Sequence, residues 1–339
     1  MRSVRRDTPP ATAGHPRGEG WGRRVFSVAM VGSLALTGCG VGQGSAIEIG
    51  EEDSIRIGVV PTASFAPLYI AMEEGYFEER GIDVELDIMQ NAAAVAPSVL
   101  NGQLQIGTAA TSPFFAAVEK GIPVRALASS SLNSVEEDDE TALVIPTGSD
   151  VERPADLEGR TVAVNALAAL PHVAAGQVIR DDGGDPDAVT FVSMAFPDMV
   201  SALSSGRVDA AAMTEPFLSQ GEGTEHERLT GLYSQAFSPE TTTTLYFTAQ
   251  PFIDVNPELV DDFTLAIHQA GEHAREDPEL VAEVLVTHGG MDPQDAAGMR
   301  LPSYGSELST DSLRSVADVM AANGFLEQQI DIATVIHDD

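Results

Sequence analysis

Few residues in this 339-residue chain combine a reactive type with a telling setting. Glu215 stands before Pro216 and after the small-residue run Ala210-Ala211-Ala212. A carboxylate there can accept hydrogen bonds from the amine, amide or ring N–H of a ligand, because a charge shut into a cleft requires a partner. The other reading is a contact between two parts of the fold, or at a helix start. Asp198 precedes Met199–Leu203 and reads first as a helix cap, second as a ligand contact. Phe65 and Phe196 sit where flat rings could stack on a ligand. Ser64, Asn91, Thr111, Ser112 and Asn165 offer neutral hydrogen bonds, and Ser129-Ser130-Ser131 offers more hydroxyls. These segments carry neither Arg nor Lys, which a highly charged anion usually recruits. The set therefore suits a neutral, zwitterionic or cationic polar solute, while backbone N–H groups leave a sulfonate open. No G-x-S-x-G, H-E-x-x-H or Walker pattern occurs, and the seven His are scattered, so no catalytic residues are assigned. Neither metal nor cofactor is expected to be needed. Asp181–Asp187 lacks EF-hand spacing and reads as a solvated turn, as Glu136–Glu140 and Glu222–Glu227 read as exposed charge runs.

Cys39 is the single cysteine, which excludes an intrachain disulfide and a cysteine zinc site. It ends Leu36-Thr37-Gly38-Cys39, after an apolar run from Val25 to Leu36 that is too short to span a bilayer as a helix and is preceded by Arg23-Arg24. Residues 1–39 hold six Arg against Asp7 and Glu19, a formal +4, whereas residues 40–339 hold 12 basic and 50 acidic side chains, or -38. Leu-Thr-Gly-Cys resembles the bacterial lipobox, in which the cysteine is lipidated and becomes the first residue of the mature protein. Residues 1–38 are thus expected to be a lipoprotein signal peptide, 39–53 a Gly- and acid-rich tether, and the remainder a body held at the extracytoplasmic face of a bacterial membrane. Whether export follows the general or the twin-arginine route stays open. A body this acidic repels nucleic acid.

The elements that must position these residues alternate between strand and helix. Ile55–Val60 and Ile82–Ile88 read as strands around a helix that Pro67 opens, which is parallel α/β construction. Val84–Pro113 and Val189–Pro216 repeat one order: strand, loop, helix, Gly turn, strand, loop. Two such units point to two lobes, and ligands of open parallel sheets bind beyond the carboxyl ends of strands. The loops named above lie at those ends. Asn256-Pro257-Glu258 and Asp277-Pro278-Glu279 start further helices, and Asp311–Ala322 forms another.

Four stretches then carry a family resemblance across residues 54–336: Gly75–Leu86 (GYFEERGIDVEL), Asp156–Val164 (DLEGRTVAV), Gly206–Ala210 with Glu215-Pro216-Phe217, and Asn323–Leu326. Together they resemble the solute-binding proteins for aliphatic sulfonates, nitrate, taurine and thiamine pyrimidine precursors. The resemblance implies a two-lobed, type II periplasmic-binding-protein-like α/β fold, a ligand cleft between the lobes, and delivery of a small-molecule solute to an ABC permease with its ATPase. It also implies two interlobe crossings, placed near Thr141–Pro146 and Thr244–Gln250, with lobe 1 formed by 54–143 plus 247–339 and lobe 2 by 144–246. The chain is expected to act as a monomer. A ligand-sensing module without transport would share the same body. Some relatives of this fold make thiamine pyrimidine with a cysteine-rich iron motif, which a chain with Cys39 alone does not supply.

Overall fold

A computed structural model describes residues 54–89, 94–134 and 139–337. The leader, Cys39, the tether and Asn91 lie outside the described residues.

The first half begins β1 (Ile55–Val59), α1 (Ala66–Glu73), β2 (Val84–Ile88), α2 (Val95–Leu100), β3 (Ile106–Ala110), α3 (Thr111–Glu119) and β4 (Val124–Leu132). The second runs β5 (Thr141–Pro146), β6 (Thr161–Val164), α4 (Leu170–Asp181), β7 (Thr190–Ser193), α5 (Phe196–Ser204), β8 (Ala210–Thr214), β9 (His226–Gly231) and α6 (Tyr233–Ala236). The chain then returns through β10 (Thr242–Ala249) and the helices α7 (Gln250–Val255), α8 (Pro257–Glu276), α9 (Pro278–Thr287), α10 (Pro293–Gly298) and α11 (Thr310–Ala322).

Two five-stranded sheets result, ordered β2-β1-β3-β10-β4 and β7-β6-β8-β5-β9. In each, three parallel strands are followed by one antiparallel strand that arrives from the other half. The repeat read in the sequence is thus a repeat of topology, with β2-α2-β3 answered by β7-α5-β8. Gly102 and Gly206 end the two helices at φ 77° and 68°, a left-handed conformation that glycine enters without a Cβ clash.

The segments expected as crossings are strands. Thr141 already pairs with Thr214 in the second sheet, and Thr242 with Leu132 in the first. The boundaries at 143/144 and 246/247 therefore fall inside β5 and β10, and the two passages between sheets join Leu132 to Thr141 and Gly231 to Thr242. Asn133 fastens these passages together. Its Nδ2 donates to the carbonyls of Tyr233 (3.3 Å) and Ser238 (3.0 Å), and its Oδ1 accepts from the Thr241 N–H (2.8 Å).

Three apolar clusters hold the body. One, with Ile57, Tyr69, Phe263 and Leu285, lies between the first sheet and α1, α8 and α9. Another joins Met199 and Leu203 of α5 to Met213. The third runs without interruption from Phe115 and Phe247 in the first half, through Leu313, Val316 and Met320 of α11, to Leu143, Val162 and Val173 in the second. Each large side chain buried there stabilises by about 1.5–3 kcal/mol, so α11 links the halves by apolar packing as well as by chain connection.

Candidate functional site

Strand direction brings the site together. In the first sheet, the ends of β1, β3 and β4 and the start of β10 share one edge, because Thr244 pairs with Ala110 and Thr242 with Leu132. In the second, the ends of β6, β8 and β9 and the start of β5 share one edge, since Thr141 pairs with Thr214 and Ala142 with Gly231. Both passages between sheets leave from these edges, which makes them the two walls of an interlobe cleft.

On the first wall, Ser64 is half-buried in the middle of a single 3-10 turn, and Phe65, which ends that turn, is buried in a T-shaped pair with Tyr246, with ring centroids 5.9 Å apart. Thr111 and Ser112 open α3 and are fully buried. The Thr111 hydroxyl donates to the Thr242 carbonyl (2.6 Å), while Ser112 Oγ has no partner among the described residues. The hydroxyls of β4 are taken up within the protein. Ser130 Oγ sits 2.7 Å from the Ser64 carbonyl and 2.8 Å from the Tyr246 hydroxyl, and Ser131 Oγ bridges Thr243 and Thr244.

On the second wall, Asn165 follows β6, and its Oδ1 is buried without a partner among the described residues. Phe196 is half-buried and stacks on Phe217, with centroids 5.5 Å apart and planes at 15°. Asp198 lies within the first turn of α5, exposed, while Ala195 holds the cap position without a side-chain bond. The cap reading of Asp198 thus gives way to a position one turn inside, where its charge faces water near the helix start.

Glu215 is buried at a cis peptide bond to Pro216. Its Oε1 accepts from the Ser219 hydroxyl (2.8 Å) and Arg300 Nη1 (3.2 Å), and its Oε2 from the Ser219 N–H (3.2 Å). Arg300 Nη1 also reaches Glu222 Oε2 at 2.8 Å. Arg300 follows α10, which packs with α9 on the first half, so this is the interlobe contact held open as the second reading of Glu215. The expectation of walls free of guanidinium groups is corrected: Arg300 reaches the edge from beyond α10, outside the cleft loops, and Arg228 Nη2 donates to the Asp139 carbonyl (2.6 Å).

The sequence reading also missed the acids at the end of the first passage. Asp139 and Glu140 close the run read as exposed charge, yet both are buried. The reason is topological, since β5 starts at the cleft edge and draws its two preceding residues inside. Asp139 accepts from the N–H groups of Thr141 (3.1 Å) and Ser234 (2.8 Å). The Glu140 carbonyl accepts from the Glu215 N–H (2.9 Å) and the Thr214 hydroxyl (3.1 Å), while its side-chain Oε2 is buried with no partner among the described residues. Burial, with the Asp139 charge beside it, pushes the Glu140 carboxyl up to about 8. Burial likewise raises Asp139. The only sequence signal for these two was their place directly before an apolar strand. No cluster of His, Cys, Asp or Glu that could hold a metal ion occurs among the described residues.

The fold has solved counterparts. The alkanesulfonate-binding protein SsuA from Xanthomonas axonopodis pv. citri superposes with a TM-score of 0.69 at 17% identity, over 85% of this chain and 99% of that one. In sequence, a formylaminopyrimidine-binding protein of Halalkalibacterium halodurans is 24% identical over 76% of this chain and 77% of its own length. The 4-amino-5-hydroxymethyl-2-methylpyrimidine phosphate synthase THI13 of Saccharomyces cerevisiae is 24% identical over 64% and 65%. The sequence pattern described as NMT1/THI5 like matches residues 62–280, and the chain belongs to that family.

Proposed function

We infer that the chain is an extracytoplasmic solute-binding protein, which captures one small polar solute between its lobes and presents it to an ABC importer. The observation that carries this reading is the set of buried polar atoms left without partners along both walls: Ser112 Oγ on one, Asn165 Oδ1 and Glu140 Oε2 on the other. Buried polar groups are normally paired, and each unpaired one costs about 1–3 kcal/mol, which a bound solute would offset. The binding proteins among the relatives support the same reading. Ser64, Phe65, Asn91, Thr111, Ser112, Asn165, Phe196, Asp198 and Glu215 are the contact set proposed from sequence. Of these, Glu215 and Thr111 act by holding the walls in place, through Arg300 and Thr242.

Capture proceeds by hinge closure about the two passages, without covalent chemistry. The yeast synthase among the relatives gives a second reading, an enzyme of pyrimidine synthesis. It is disfavoured by a sequence whose single cysteine, Cys39, belongs to the leader motif. Lipid attached at Cys39 would hold a monomeric body at the membrane; Cys39→Ser should release the protein from the detergent phase in a partition assay.

A thermal-shift screen of the full chain against pyrimidines, taurine, sulfonates, nitrate and flavins tests the function. A true solute at 100 times its Kd adds about 2.7 kcal/mol of stability. No shift from any small solute in repeated broad screens would contradict transport. Mass spectrometry of each hit after prolonged incubation separates a binder, which returns it unchanged, from an enzyme.

A further inference from the structure

We propose that Glu140 is the specificity-determining contact of the cleft, and that it selects a solute bearing a cationic amino group. This rests on the reading of the cleft as a solute site and names the chemistry which that site accepts.

Three acids meet at the start of β5 and the end of β8. Asp139 accepts two backbone N–H groups, and Glu215 is occupied by Ser219 and Arg300. Glu140 alone keeps a buried carboxyl oxygen without a partner among the described residues, and its backbone bonds to Thr214 and Glu215 fix it at the wall. On the same wall Asn165 Oδ1 is a second open acceptor. Once the Glu140 carboxyl is ionised, both groups are acceptors only on these open atoms and call for donors on the ligand.

The local cations do not reverse this. Arg300 is held by Glu215 and Glu222, and Arg228 by the Asp139 carbonyl and, at 3.9 Å, by Glu222. An anionic solute would find guanidinium groups already engaged and two fixed carboxylates beside it, whereas an ammonium or amidinium group would meet an open carboxyl.

Charge balance points the same way. The titratable groups facing Glu140 are Asp139 on its own segment, Glu215 beyond β8, Arg228 of β9, Tyr233 of α6 and Tyr304 beyond α10. Burial and Asp139 raise the Glu140 carboxyl to about 8, so without solute it holds its proton at pH 7. A cation seated against it favours the ionised form, and the proton leaves to solvent as the solute binds. Affinity for such a solute therefore rises with pH up to about 8 and levels off above it.

Isothermal titration calorimetry of the full chain with two matched pairs tests this. One pair is taurine and isethionate, in which a hydroxyl replaces the ammonium. The other is 4-amino-5-aminomethyl-2-methylpyrimidine and its 5-hydroxymethyl counterpart. In at least one pair the amine should bind at least tenfold tighter. At pH 7 its binding enthalpy should vary with buffer ionisation enthalpy, in the sense of proton release. Glu140→Gln should erase both the preference and the release. Equal binding within each pair, preference for the hydroxyl member, or a preference that survives in Glu140→Gln would overturn the role of Glu140 while leaving the cleft as a solute site. Failure of all four probes would count against both. Should Glu140→Gln not fold, the preference and proton release of the unaltered protein decide the matter.

Discussion

Arg300 Nη1 lies 3.2 Å from Glu215 Oε1, joining a segment packed on the first half of the fold to the final cleft loop of the second. The Glu215 side chain is 1% exposed and that of Arg300 30%, so the pair is desolvated chiefly on the acid's side. Removing the guanidinium leaves a buried carboxylate with Ser219 and a long bond from the residue 300 N–H (3.4 Å), and no opposite charge. Arg300→Met should destabilise the protein by about 2–3 kcal/mol, below the 3–5 kcal/mol of a wholly buried pair because Arg300 is partly solvated. Glu215→Gln, which buries no charge and keeps one acceptor oxygen for Ser219, should cost less. Urea melts of both variants check the order; equal losses would contradict it.

Asn133 supplies three hydrogen bonds between the two passages, and its side chain is buried. Asn133→Ala strands the Thr241 N–H and removes one of two donors from the carbonyls of Tyr233 and Ser238, which keep the Phe237 N–H and the Thr241 hydroxyl, at a cost of about 1–3 kcal/mol. Hydrogen exchange should quicken in 232–241 more than in either sheet, and uniform quickening would argue against a local clasp.

His172 is buried between Phe191 and Phe325, with Nδ1 accepting from the Ala168 N–H at 2.9 Å. Burial pushes its pKa from 6.5 down to about 4. The folded state thus resists protonation that the unfolded chain accepts. The contribution to stability is complete above 6.5 and is lost as pH falls towards about 4. It amounts to roughly 2 kcal/mol once the remaining solvent contact is allowed for. Carboxylates also respond to acid, so the measurement is a difference: between pH 7.5 and 4.5, His172→Gln should lose less stability than the unaltered protein.

At Gly107 in β3, an added Cβ would stand 2.6 Å from the Phe247 ring and 2.7 Å from Val95. Both neighbours belong to the cluster shared by the two halves. Gly107→Ala should destabilise by about 1–3 kcal/mol through overpacking, read as a lowered Tm. A neutral substitution would show that this contact can relax.

Much of the architecture was legible because it is written locally. Alternation in Ile82–Ile88, Pro67 in the first turn of α1, and the Asp277 cap, which accepts from the N–H groups of Glu279 and Leu280, all depend on residues a few positions apart. The repeat was legible because both halves use one strand order. The passages were misplaced because β5 and β10 are strands whose partners lie far along the chain. Arg300 was invisible for the same reason, since it meets Glu215 across 85 residues. Glu140 was misread because five acidic residues in succession, Glu136–Glu140, look solvated, and only tertiary structure shows where the passage turns inward. Phe65 packs edge-to-face with Tyr246, a partner 181 residues away that no local pattern announces.

One solute bridging two walls should protect both at once. Hydrogen–deuterium exchange of the full chain, with and without the tightest solute from the screen, measures this directly. Protection should appear together in 63–66 and 111–115 of the first half and in 139–142, 165–169 and 213–219 of the second. Protection confined to one half, or lying away from these segments, would contradict capture between the lobes.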